Sequence, residues 1–591
     1  MEALENSMNN MQIDLRSVCC NQESDSPCTK TGTLACKNCL MVTYCSRRCQ
    51  TEHYPLHRED CRSPIIKGTW KPRWVIENRL PAFNGPQAQV INQAAFGAIK
   101  YLWGNVPAID VIKLDQNEGV NFGNPLNLLF AGILPQNYKS PLCIVINDFE
   151  LDVVARNLIF ILIIFMEEDA NAAAEFMLHV WYSVLVTESC YTLLQKKLKP
   201  LINDVCNEIS GRPLKSLQAK TWHFGSSSLR LVLARQAWMK LLSYLDVPDA
   251  MTKETAHAVH QAVVSAPSRI DYVDRAVLLR SPTLGLGMIK YRNDGILIPF
   301  GQSRKAFVKP NPTVFDSSQK WPMKDSADPI DGWSMKTVLE TKAGPAKQDA
   351  YGQLYHYLRR LFVDFHQYLH SKPVAFELHH VDARGLDKTL AGREFDRIEV
   401  SNICDAGYLG IDKTLKTFGP LLCKPQVNPH ATLITTFLNA VLEAKMMCQQ
   451  MNPILEDLIF RIEVVTAMEY MKSELPRPTG TRAEIEERLA IYAIMAASAA
   501  EVVRDMDKYF DIYMDKHGFA GAASSAELMM KEKHTIIPPW PLRVNGGSLP
   551  TRNDKKDFKL LLGTGHTGQE RYVEWKVRAV EPAANAECMP S

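Results

Sequence analysis

Short apolar runs alternate with stretches of helical periodicity between residues 87 and 199. The runs Leu126 to Ala131 and Leu142 to Asn147 are largely apolar, which is typical of strands buried on both faces. Apolar residues recur at helical spacing from Ile91 to Gly104, and an apolar segment from Asp152 onward predicts a further long helix. Residues 87–199 are therefore predicted to form the first half of an α/β domain.

A second strand–helix–strand pattern lies within residues 373–450. Its predicted strands are Val374 to Leu378 and Phe395 to Val400, and the predicted helix between them is Asp387 to Leu390. An acidic residue, Asp382, follows the first of these strands. We interpret this segment as the second half of the same α/β domain.

Helical periodicity dominates the insertion between the two halves, residues 200–372. One hairpin is predicted within it, from Met288 to Pro299, because Asn293-Asp294-Gly295 offers residues that adopt positive φ in a tight turn. The insertion is thus expected to be mainly helical with a hairpin.

The C-terminal part, residues 451–591, is predicted to combine a helical region with a second hairpin. Thr481 and Glu484 form a capping-box pattern that opens a long helix, which is expected to end near Gly518. The residues expected on its buried face are Ile485, Leu489 and Tyr492.

Three glycines near the C-terminus have the spacing of a dinucleotide-binding loop: Gly563, Gly565 and Gly568. Such a loop leads into a helix, but Glu570 to Arg578 alternates at strand period. We therefore assign these glycines to a hairpin turn between Phe558–Leu562 and the strand that follows.

Cysteine is concentrated near the N-terminus. Eight of the 15 cysteines lie between Cys19 and Cys61, and the other seven are scattered singly. The close pairs have the spacing of zinc ligands: Cys36-x2-Cys39, Cys45-x3-Cys49 and His57-x3-Cys61.

An upstream pair completes this ligand set. Cys28 together with either Cys19 or Cys20 brings the number of ligands to eight, which is enough for two tetrahedral Zn²⁺ ions with no open coordination position. Closed sites are structural, and metal binding would supply folding free energy that a segment of this size lacks. His53 is an alternative to His57, but only His57 has the right offset from Cys61.

The order of these residues, with Tyr44 before Cys45 and Gln50 after Cys49, closely resembles the MYND zinc finger. The resemblance implies that ligand pairs one and three share the first zinc and that pairs two and four share the second. It favours Cys19 over Cys20, because Cys19-Cys20-Asn21 resembles the start of the finger in fungal relatives. The implied ligands are Cys19, Cys28, Cys45 and Cys49 at one site and Cys36, Cys39, His57 and Cys61 at the other.

The resemblance also implies a protein partner. MYND fingers bind short proline-containing peptides on a surface formed by a glutamine and an aromatic residue. The matching positions are Gln50 and Tyr54, where Tyr54 replaces the usual tryptophan. We therefore expect recruitment of a partner through a proline-containing peptide.

Residues 62–86 are predicted to be a linker between the finger and the body. Trp70 and Trp74 lie beside Lys71 and Arg73, a combination that can stack on nucleic acid. We favour the alternative that the linker docks its aromatic side chains onto the body.

Two phrases of the body, residues 101–119 and 144–158, resemble a domain of unknown function that follows MYND fingers in many fungal proteins and occurs in dynein axonemal assembly factors. That resemblance implies a methyltransferase-like Rossmann fold with a glycine loop and a helix after the first strand. Residues 132–141, GILPQNYKSP, lack the glycine pattern and are too short for a loop and helix within a parallel crossover. Asp148 and Asp382 are candidates for a ligand pocket, although helix capping is the commoner role of such carboxylates.

Overall charge and hydropathy argue against two classes of partner, nucleic acid and membranes. Lys plus Arg is 67 against 65 Asp plus Glu, so no overall field draws the chain to nucleic acid or to an anionic membrane. The longest apolar run, Leu158 to Met166, is nine residues and far short of the roughly 20 that span a bilayer. The N-terminus lacks a signal-peptide pattern, and the scattered cysteines suit a reducing compartment, so we expect a cytoplasmic or nuclear protein.

No catalytic centre can be named from these motifs. The sequence contains no phosphate-binding loop and no His-Glu-x-x-His pattern. We therefore expect a zinc-binding interaction protein whose finger recruits a partner to a non-catalytic, methyltransferase-like body that does not bind S-adenosylmethionine. The alternative function is an S-adenosylmethionine-dependent methyltransferase.

Overall fold

The computed structural model describes residues 17–23, 27–83, 96–98, 100–113, 117, 132–135, 142–475, 479–544, 550–566 and 568–578. Within these residues no helix is both long and apolar enough to cross a membrane. The strand predicted for Leu126 to Ala131 lies outside them.

The strands, numbered in chain order, fall into one large sheet and two small ones. Their bounds are β1 Leu34–Ala35, β2 Thr43–Tyr44, β3 Gly132–Pro135, β4 Leu142–Asn147, β5 Leu185–Thr187, β6 Leu217–Phe224, β7 Ser227–Ala234, β8 Phe307–Pro310, β9 Val374–His379, β10 Phe395–Glu399, β11 Thr432–Phe437, β12 Leu528–Met530 and β13 Arg571–Val577. The pairs β1–β2 and β5–β8 are separate, and the other nine strands form one mixed sheet in the order β12-β13-β11-β10-β3-β4-β9-β7-β6.

Helices cover both faces of this sheet and connect most of its strands. In chain order the α-helices of the described residues are α1 Arg47–Cys61, α2 Pro64–Lys67, α3 Arg73–Ile76, α4 Leu151–Met166, α5 Ala170–Tyr182, α6 Glu188–Leu193, α7 Lys199–Glu208, α8 Arg235–Leu241, α9 Lys253–Val264, α10 Ile270–Leu279, α11 Pro282–Asp294, α12 Met335–Glu340, α13 Ala350–Ser371, α14 Leu386–Thr389, α15 Ile411–Phe418, α16 Ala440–Met451, α17 Pro453–Tyr470, α18 Arg482–Ala499, α19 Asp507–Lys516, α20 Phe519–Ser525 and α21 Arg552–Leu562.

The sheet separates two apolar cores. Alternate residues of a strand point to opposite faces, and in β4 Ile144 and Ile146 pack in one core while Val145 packs in the other. The same alternation divides Leu433 from Ile434 in β11. The larger core contains the almost wholly apolar helix α4, which the run of apolar residues after Asp152 predicts correctly.

Strand direction places five carboxyl ends along one edge of the sheet. β4, β9 and β7 are mutually parallel, and β10 is parallel to β11. Since β3 is antiparallel to both β4 and β10, these two strands also run in the same direction. The predictions of strands at β4, β9 and β10 are confirmed, as is the body's α/β character.

The described part of the segment 132–141, Gly132–Pro135, does not belong to a parallel crossover. Gly132–Pro135 is itself the strand β3, and it pairs antiparallel with the next strand, β4. The expectation of a crossover at this point was wrong, because an antiparallel neighbour can be reached by a short turn whereas a parallel one cannot.

The hairpin predicted at Met288 to Pro299 is also wrong. Pro282–Asp294 is helix α11, and Gly295 ends it with φ of 66° and its N–H bonded to the carbonyl of Tyr291. Glycine at positive φ serves a helix C-terminus as well as it serves a turn. The hairpin of this insertion is β6–β7, with Gly225 at φ 58° in its turn.

Two further helix predictions fail in part. The capping box of Thr481 and Glu484 opens α18, but this helix ends at Ala499 and α19 is a separate helix. Leu489 is 45% exposed, while Tyr492, Ala496 and Ala499 form the buried face. Residues 96–98 and 100–104, within the helix predicted from Ile91, are not helical, and residues 91–95 lie outside the described residues.

The C-terminal glycines do not turn a hairpin. Phe558–Leu562 belongs to helix α21, and the chain passes from that helix through the glycines into strand β13. A dinucleotide-binding loop connects a strand to a helix, whereas these glycines connect a helix to a strand. The strand predicted after them is confirmed at Arg571–Val577.

Candidate metal centre and carboxyl-edge cavity

The N-terminal segment consists of the short hairpin β1–β2 and helix α1. Leu34 pairs with Tyr44 across the hairpin, and the chain enters α1 directly after Cys45. Ser46 caps the helix, since its Oγ accepts a hydrogen bond from Cys49 N at 3.3 Å. These local interactions bring sulfur atoms from the hairpin and the helix to the same place.

Eight ligand atoms gather in two tetrads, and within each tetrad all of them lie within 4.8 Å of one another. Neighbouring Sγ atoms are 3.6 Å apart for Cys28 and Cys45 and 3.6 Å apart for Cys36 and Cys61. A tetrahedral ion with Zn–S bonds of about 2.3 Å requires sulfur–sulfur distances of about 3.8 Å. The tetrads are Cys19, Cys28, Cys45 and Cys49, and Cys36, Cys39, His57 and Cys61.

The donor set fits two structural zinc ions. Each tetrad supplies four nitrogen or sulfur ligands, which fills the coordination sphere and leaves no position for water or substrate. Burial lowers the pKa of His57 to about 4, so its imidazole is neutral at pH 7 as a metal ligand must be. Asn38 Nδ2 donates to Cys61 Sγ at 3.2 Å and orients that ligand from outside.

Cys19 belongs to the first tetrad and Cys20 does not. The Sγ of Cys20 accepts a hydrogen bond from Thr43 N at 3.4 Å, and the side chain packs beside Gly301 of the body. Burial raises the pKa of the Cys20 thiol to about 11. The two adjacent cysteines therefore have different roles, one binding metal and the other packing as an apolar residue.

His53 also lies outside both tetrads. Its ring stacks on that of His57 with centroids 6.1 Å apart, and its Nδ1 is 3.0 Å from the hydroxyl of Tyr44. The preference for His57 as the ligand agrees with this arrangement.

The alternation of the two ligand sets along the chain, with hairpin and helix contributing to both, is a cross-brace of two closed zinc sites. Residues 19–61 match the MYND finger family. A second match covers residues 102–186 and is described as a domain of unknown function, DUF4470. No curated protein and no solved structure is detectably similar to the chain.

The MYND finger is fixed to the body by polar contacts on both sides of its hairpin. Ser17 Oγ lies 2.8 Å from Nε2 of His356, and Gln302 Nε2 donates to the carbonyl of Val18 at 2.9 Å. The backbone N–H of Gln348 donates to the carbonyl of Leu40 at 3.0 Å. The finger is thus held by three separate segments of the body.

An apolar contact lies between these hydrogen bonds. Met41 and Val42 of the finger are buried in one cluster with Leu286 and Phe300 of the body. A Cβ built on Gly301 would come within 2.5 Å of Cys20 Sγ, so the backbone approaches the finger too closely for a larger residue. This contact is not visible in the sequence, because the body residues are more than 200 positions away.

The predicted peptide-binding residues lie on the outer part of the finger. Gln50 and Tyr54 are one turn apart on α1 and are partly exposed, and Leu56 is 60% exposed nearby. Arg62 lies over the Tyr54 ring at 5.9 Å from its centroid. Their role in binding a peptide stays a prediction.

The linker docks onto the body as expected. Trp70 packs partly against the larger core. Trp74 is buried against Phe83, which in turn meets Tyr272 of the body edge to face at a centroid distance of 5.9 Å. Lys71 forms an ion pair with Glu487 at 2.6 Å. These residues therefore join the finger to the body.

A cavity of about 700 Å³ opens at the carboxyl ends of β4, β10 and β11. Asp148 lines it directly after β4, as do Glu399 at the end of β10 and Asn439 after β11. Asp148 Oδ1 accepts a hydrogen bond from Glu150 N at 2.7 Å, which closes a local turn just before α4. Burial raises the pKa of Asp148.

Two carboxylates of this cavity were not identified from the sequence. Glu399 accepts a hydrogen bond from Ser401 N at 2.7 Å, and burial raises its pKa to about 7. Glu570 is 7% exposed and its Oε2 has no partner among the described residues. The two come together only because β13 inserts beside β11, a pairing across more than 130 residues that no local pattern reveals.

The other polar candidates have structural partners. Asp382 does not line the cavity, and its carboxylate accepts a hydrogen bond from Arg384 N at 2.9 Å and pairs with the Arg384 guanidinium. His379 Nε2 lies 2.9 Å from Glu377, and His380 Nε2 lies 2.9 Å from the carbonyl of Phe149. Neither histidine belongs to a metal-binding group in the part of the chain that the structure describes.

Proposed function

We propose that the chain is a zinc-dependent interaction protein whose MYND finger recruits a protein partner to a non-catalytic, methyltransferase-like body. The observation that carries this proposal is the pair of closed tetrads. Because four protein ligands surround each ion, neither zinc can polarise a substrate or activate water. The role of the zinc ions is therefore to stabilise the folded surface of the finger.

The way the finger sits on the body supports a recruiting role. One side of the finger is buried against Leu286 and Phe300, while Gln50 and Tyr54 lie on α1 away from that contact. A partner bound there would be held at a fixed position relative to the body, because the finger has little freedom to rotate about its linker. Fixed placement is what an adaptor requires.

The bonding of the candidate ligand residues supports a non-catalytic body. Asp148 closes the turn that precedes α4, and Asp382 is paired with Arg384. A carboxylate in either role stabilises the fold. Because its hydrogen bonds are used in this way, it is not available as a general acid or base.

The peptide-binding prediction can be tested on the full chain. Gln50→Ala and Tyr54→Ala are each expected to weaken binding of a labelled proline-rich peptide by about tenfold, because a small solvated surface has few contacts to lose. The wild-type dissociation constant is expected on the order of micromolar to millimolar. Fluorescence anisotropy measures the affinity, and metal analysis of each variant should still give two zinc ions.

Glu59→Ala is the matched control for these variants. Glu59 is exposed on α1 but lies about half a turn away from the face of Gln50 and Tyr54, so its removal should leave peptide affinity unchanged. Equal weakening by all three substitutions, or no binding of any proline-rich peptide by the wild type, would contradict the assigned surface.

A second candidate function, a methyltransferase that uses S-adenosylmethionine, is favoured by one observation. The cavity at the carboxyl ends of β4, β10 and β11 is where α/β proteins place their ligands, and its volume suits a small molecule. The cavity lining combines apolar and aromatic side chains, such as Trp103 and Phe160, with the carboxylates of Asp148, Glu399 and Glu570.

We expect no binding of S-adenosylmethionine. One carboxylate hydrogen bond contributes about 1.5 to 3 kcal/mol, whereas even a millimolar complex requires about 4 kcal/mol. The segment from Gly132 to Pro135 is a strand and offers no helix N-terminus to the carboxylate end of such a cofactor.

Isothermal titration calorimetry of the full chain, to about 1 mM ligand, should give no saturable heat. A saturable signal that is lost in Asp148→Ala would favour the enzyme. Asp148→Asn is the control for folding, because the amide oxygen can still accept the hydrogen bond from Glu150 N while the charge is removed.

A further inference from the structure

Helix α17 has its polar and apolar faces reversed. Its buried face carries Glu456 and Glu463 together with Ala467 and Tyr470. Its outer face carries large apolar side chains that are more than half exposed. We name these the α17 stripe: Ile454 at 82%, Leu458 at 54%, Ile462 at 57% and Val465 at 63% exposure.

The reversed orientation is held in place by buried polar contacts. Glu463 forms an ion pair with Arg504, and both side chains are less than a tenth exposed. Glu456 Oε2 accepts a hydrogen bond from the hydroxyl of Tyr509 at 2.7 Å. Rotation of α17 to bury its apolar face would expose or break both contacts, so the stripe is a fixed feature of the surface.

The α17 stripe is continuous along the helix. Its four residues recur at intervals of four, four and three positions, which places them on one ridge about 17 Å long. Met451, the last residue of the preceding helix α16, is also 78% exposed. A contiguous apolar surface of this kind marks an interaction site, and none of the described residues covers it.

The charges beside the stripe indicate which partner fits. Asp457 and Arg461 lie along one edge, 2.8 Å apart and both exposed. A two-fold axis that pairs two antiparallel copies of a helix matches each edge with the same edge in reverse order. With the axis level with residue 459, Asp457 lies opposite Arg461 of the partner subunit, and Arg461 lies opposite Asp457 of the partner subunit.

We propose that the α17 stripe is a homodimer interface in which two copies of α17 pack antiparallel across a two-fold axis. The apolar ridges interdigitate, and the charged edge is complementary to its own reversed copy. The interface is separate from the finger, so the dimer presents two MYND fingers and binds a partner with two peptide motifs more tightly than one finger does.

Sedimentation velocity of the full chain tests the proposal. The wild type is expected to show a concentration-dependent monomer–dimer equilibrium. Leu458→Glu is expected to abolish the dimer, because it places a charge in the centre of the apolar ridge. Asp457→Arg and Arg461→Asp are each expected to weaken dimerisation by at least about tenfold at low salt, since each creates two like-charge contacts across the axis.

The decisive arm mixes the two charge variants. An Asp457→Arg chain and an Arg461→Asp chain restore both opposite-charge contacts in a mixed dimer, so the mixture should dimerise with an affinity near that of the wild type. A parallel pairing would place like charges opposite each other in the wild type, so the mixed dimer would then bind much more tightly than the wild type instead of equally well. An interface away from this edge would respond to neither substitution.

Arg482→Asp is the matched control for the charge change. Arg482 and Glu486 form a comparable exposed pair in α18, away from the stripe, so this variant should dimerise like the wild type. Far-ultraviolet circular dichroism of every variant checks folding. A monomeric wild type at about 100 µM, a dimer that Leu458→Glu leaves intact, or charge variants that do not rescue each other would overturn the proposal. So would binding of a different protein to the stripe of a monomeric chain.

Discussion

Cys45→Ala is expected to unfold the MYND finger and to release both zinc ions while the body stays folded. Cys45 belongs to one tetrad, but residues of the two tetrads alternate along the chain, so loss of one site frees the hairpin that shapes the other. Zinc binding in such domains contributes about 10 to 16 kcal/mol, more than a segment of this size gains from its own apolar contacts.

The readouts are zinc content by mass spectrometry and helix content by circular dichroism. We expect less than one zinc per chain and little change in helix signal, because α1 is a small part of the helical content. The cores on the two faces of the large sheet contain no zinc ligand. Collapse of the whole protein on loss of the finger would contradict this separation.

The adjacent cysteines provide the control. Cys19→Ala should behave like Cys45→Ala, whereas Cys20→Ala should keep both zinc ions, because Cys20 Sγ faces Thr43 and Gly301 rather than a tetrad. Loss of zinc in Cys20→Ala together with its retention in Cys19→Ala would show that the first ligand has been assigned to the wrong residue.

Arg504→Ala is expected to cause the largest loss of stability among single substitutions in the C-terminal helices. Arg504 is 3% exposed and Glu463, its partner, is 7% exposed, so the substitution leaves a buried carboxylate without its cation. Breaking such a pair costs about 3 to 5 kcal/mol. Thermal unfolding of the full chain should show a lower transition temperature for the variant.

The effect of Arg504→Ala should depend on pH. Burial already raises the pKa of Glu463 in the presence of Arg504, and removal of the arginine should raise it further. A carboxyl with a raised pKa in the folded state destabilises at pH above that pKa, and the penalty is lost as pH falls through it. The difference in free energy of unfolding between Arg504→Ala and the wild type should therefore become smaller from pH 8 to pH 5.

Two comparisons separate the buried pair from general effects. Glu463→Gln combined with Arg504→Ala should be more stable than Arg504→Ala alone, because it removes the unpaired charge. Arg482→Ala breaks an exposed pair in a neighbouring helix and should change stability by less than about 1 kcal/mol. A loss under 1 kcal/mol in Arg504→Ala would mean that the ion pair does not hold α17 in place.

The metal centre was predictable because its chemistry is local. Six of its eight ligands lie in pairs three or four positions apart, and sulfur and imidazole at such spacing have few other purposes in a polar segment. The choice between Cys19 and Cys20 was harder, since both positions satisfy the spacing. The packing of Cys20 on Gly301, nearly 300 residues away, gives that thiol a different role.

The failures have a common physical cause. Asn293-Asp294-Gly295 adopts positive φ in a helix C-cap as readily as in a hairpin, and only tertiary packing decides between them. Residues 132–141 were compared with the length that a parallel crossover requires. The direction of the strand Gly132–Pro135 is instead set by its pairing with strands that are distant in sequence, such as β10. Local sequence therefore predicted the elements better than their pairing.

Helix α17 is a further case in which the local sequence does not determine how the element packs. Its sequence is apolar around much of its circumference, a pattern that by itself predicts burial. The structure buries Glu456 and Glu463 instead, because Tyr509 and Arg504 supply their partners from another part of the chain. Which face of such a helix is exposed depends on those partners and cannot be derived from periodicity.

Zinc stoichiometry of the purified full chain tests the central claim most directly. Inductively coupled plasma mass spectrometry against a protein concentration from amino-acid analysis should give two zinc ions per chain, both lost on treatment with a strong chelator. One zinc, or none, in protein whose residues 19–61 are intact would contradict the cross-braced finger and with it the proposed recruiting surface.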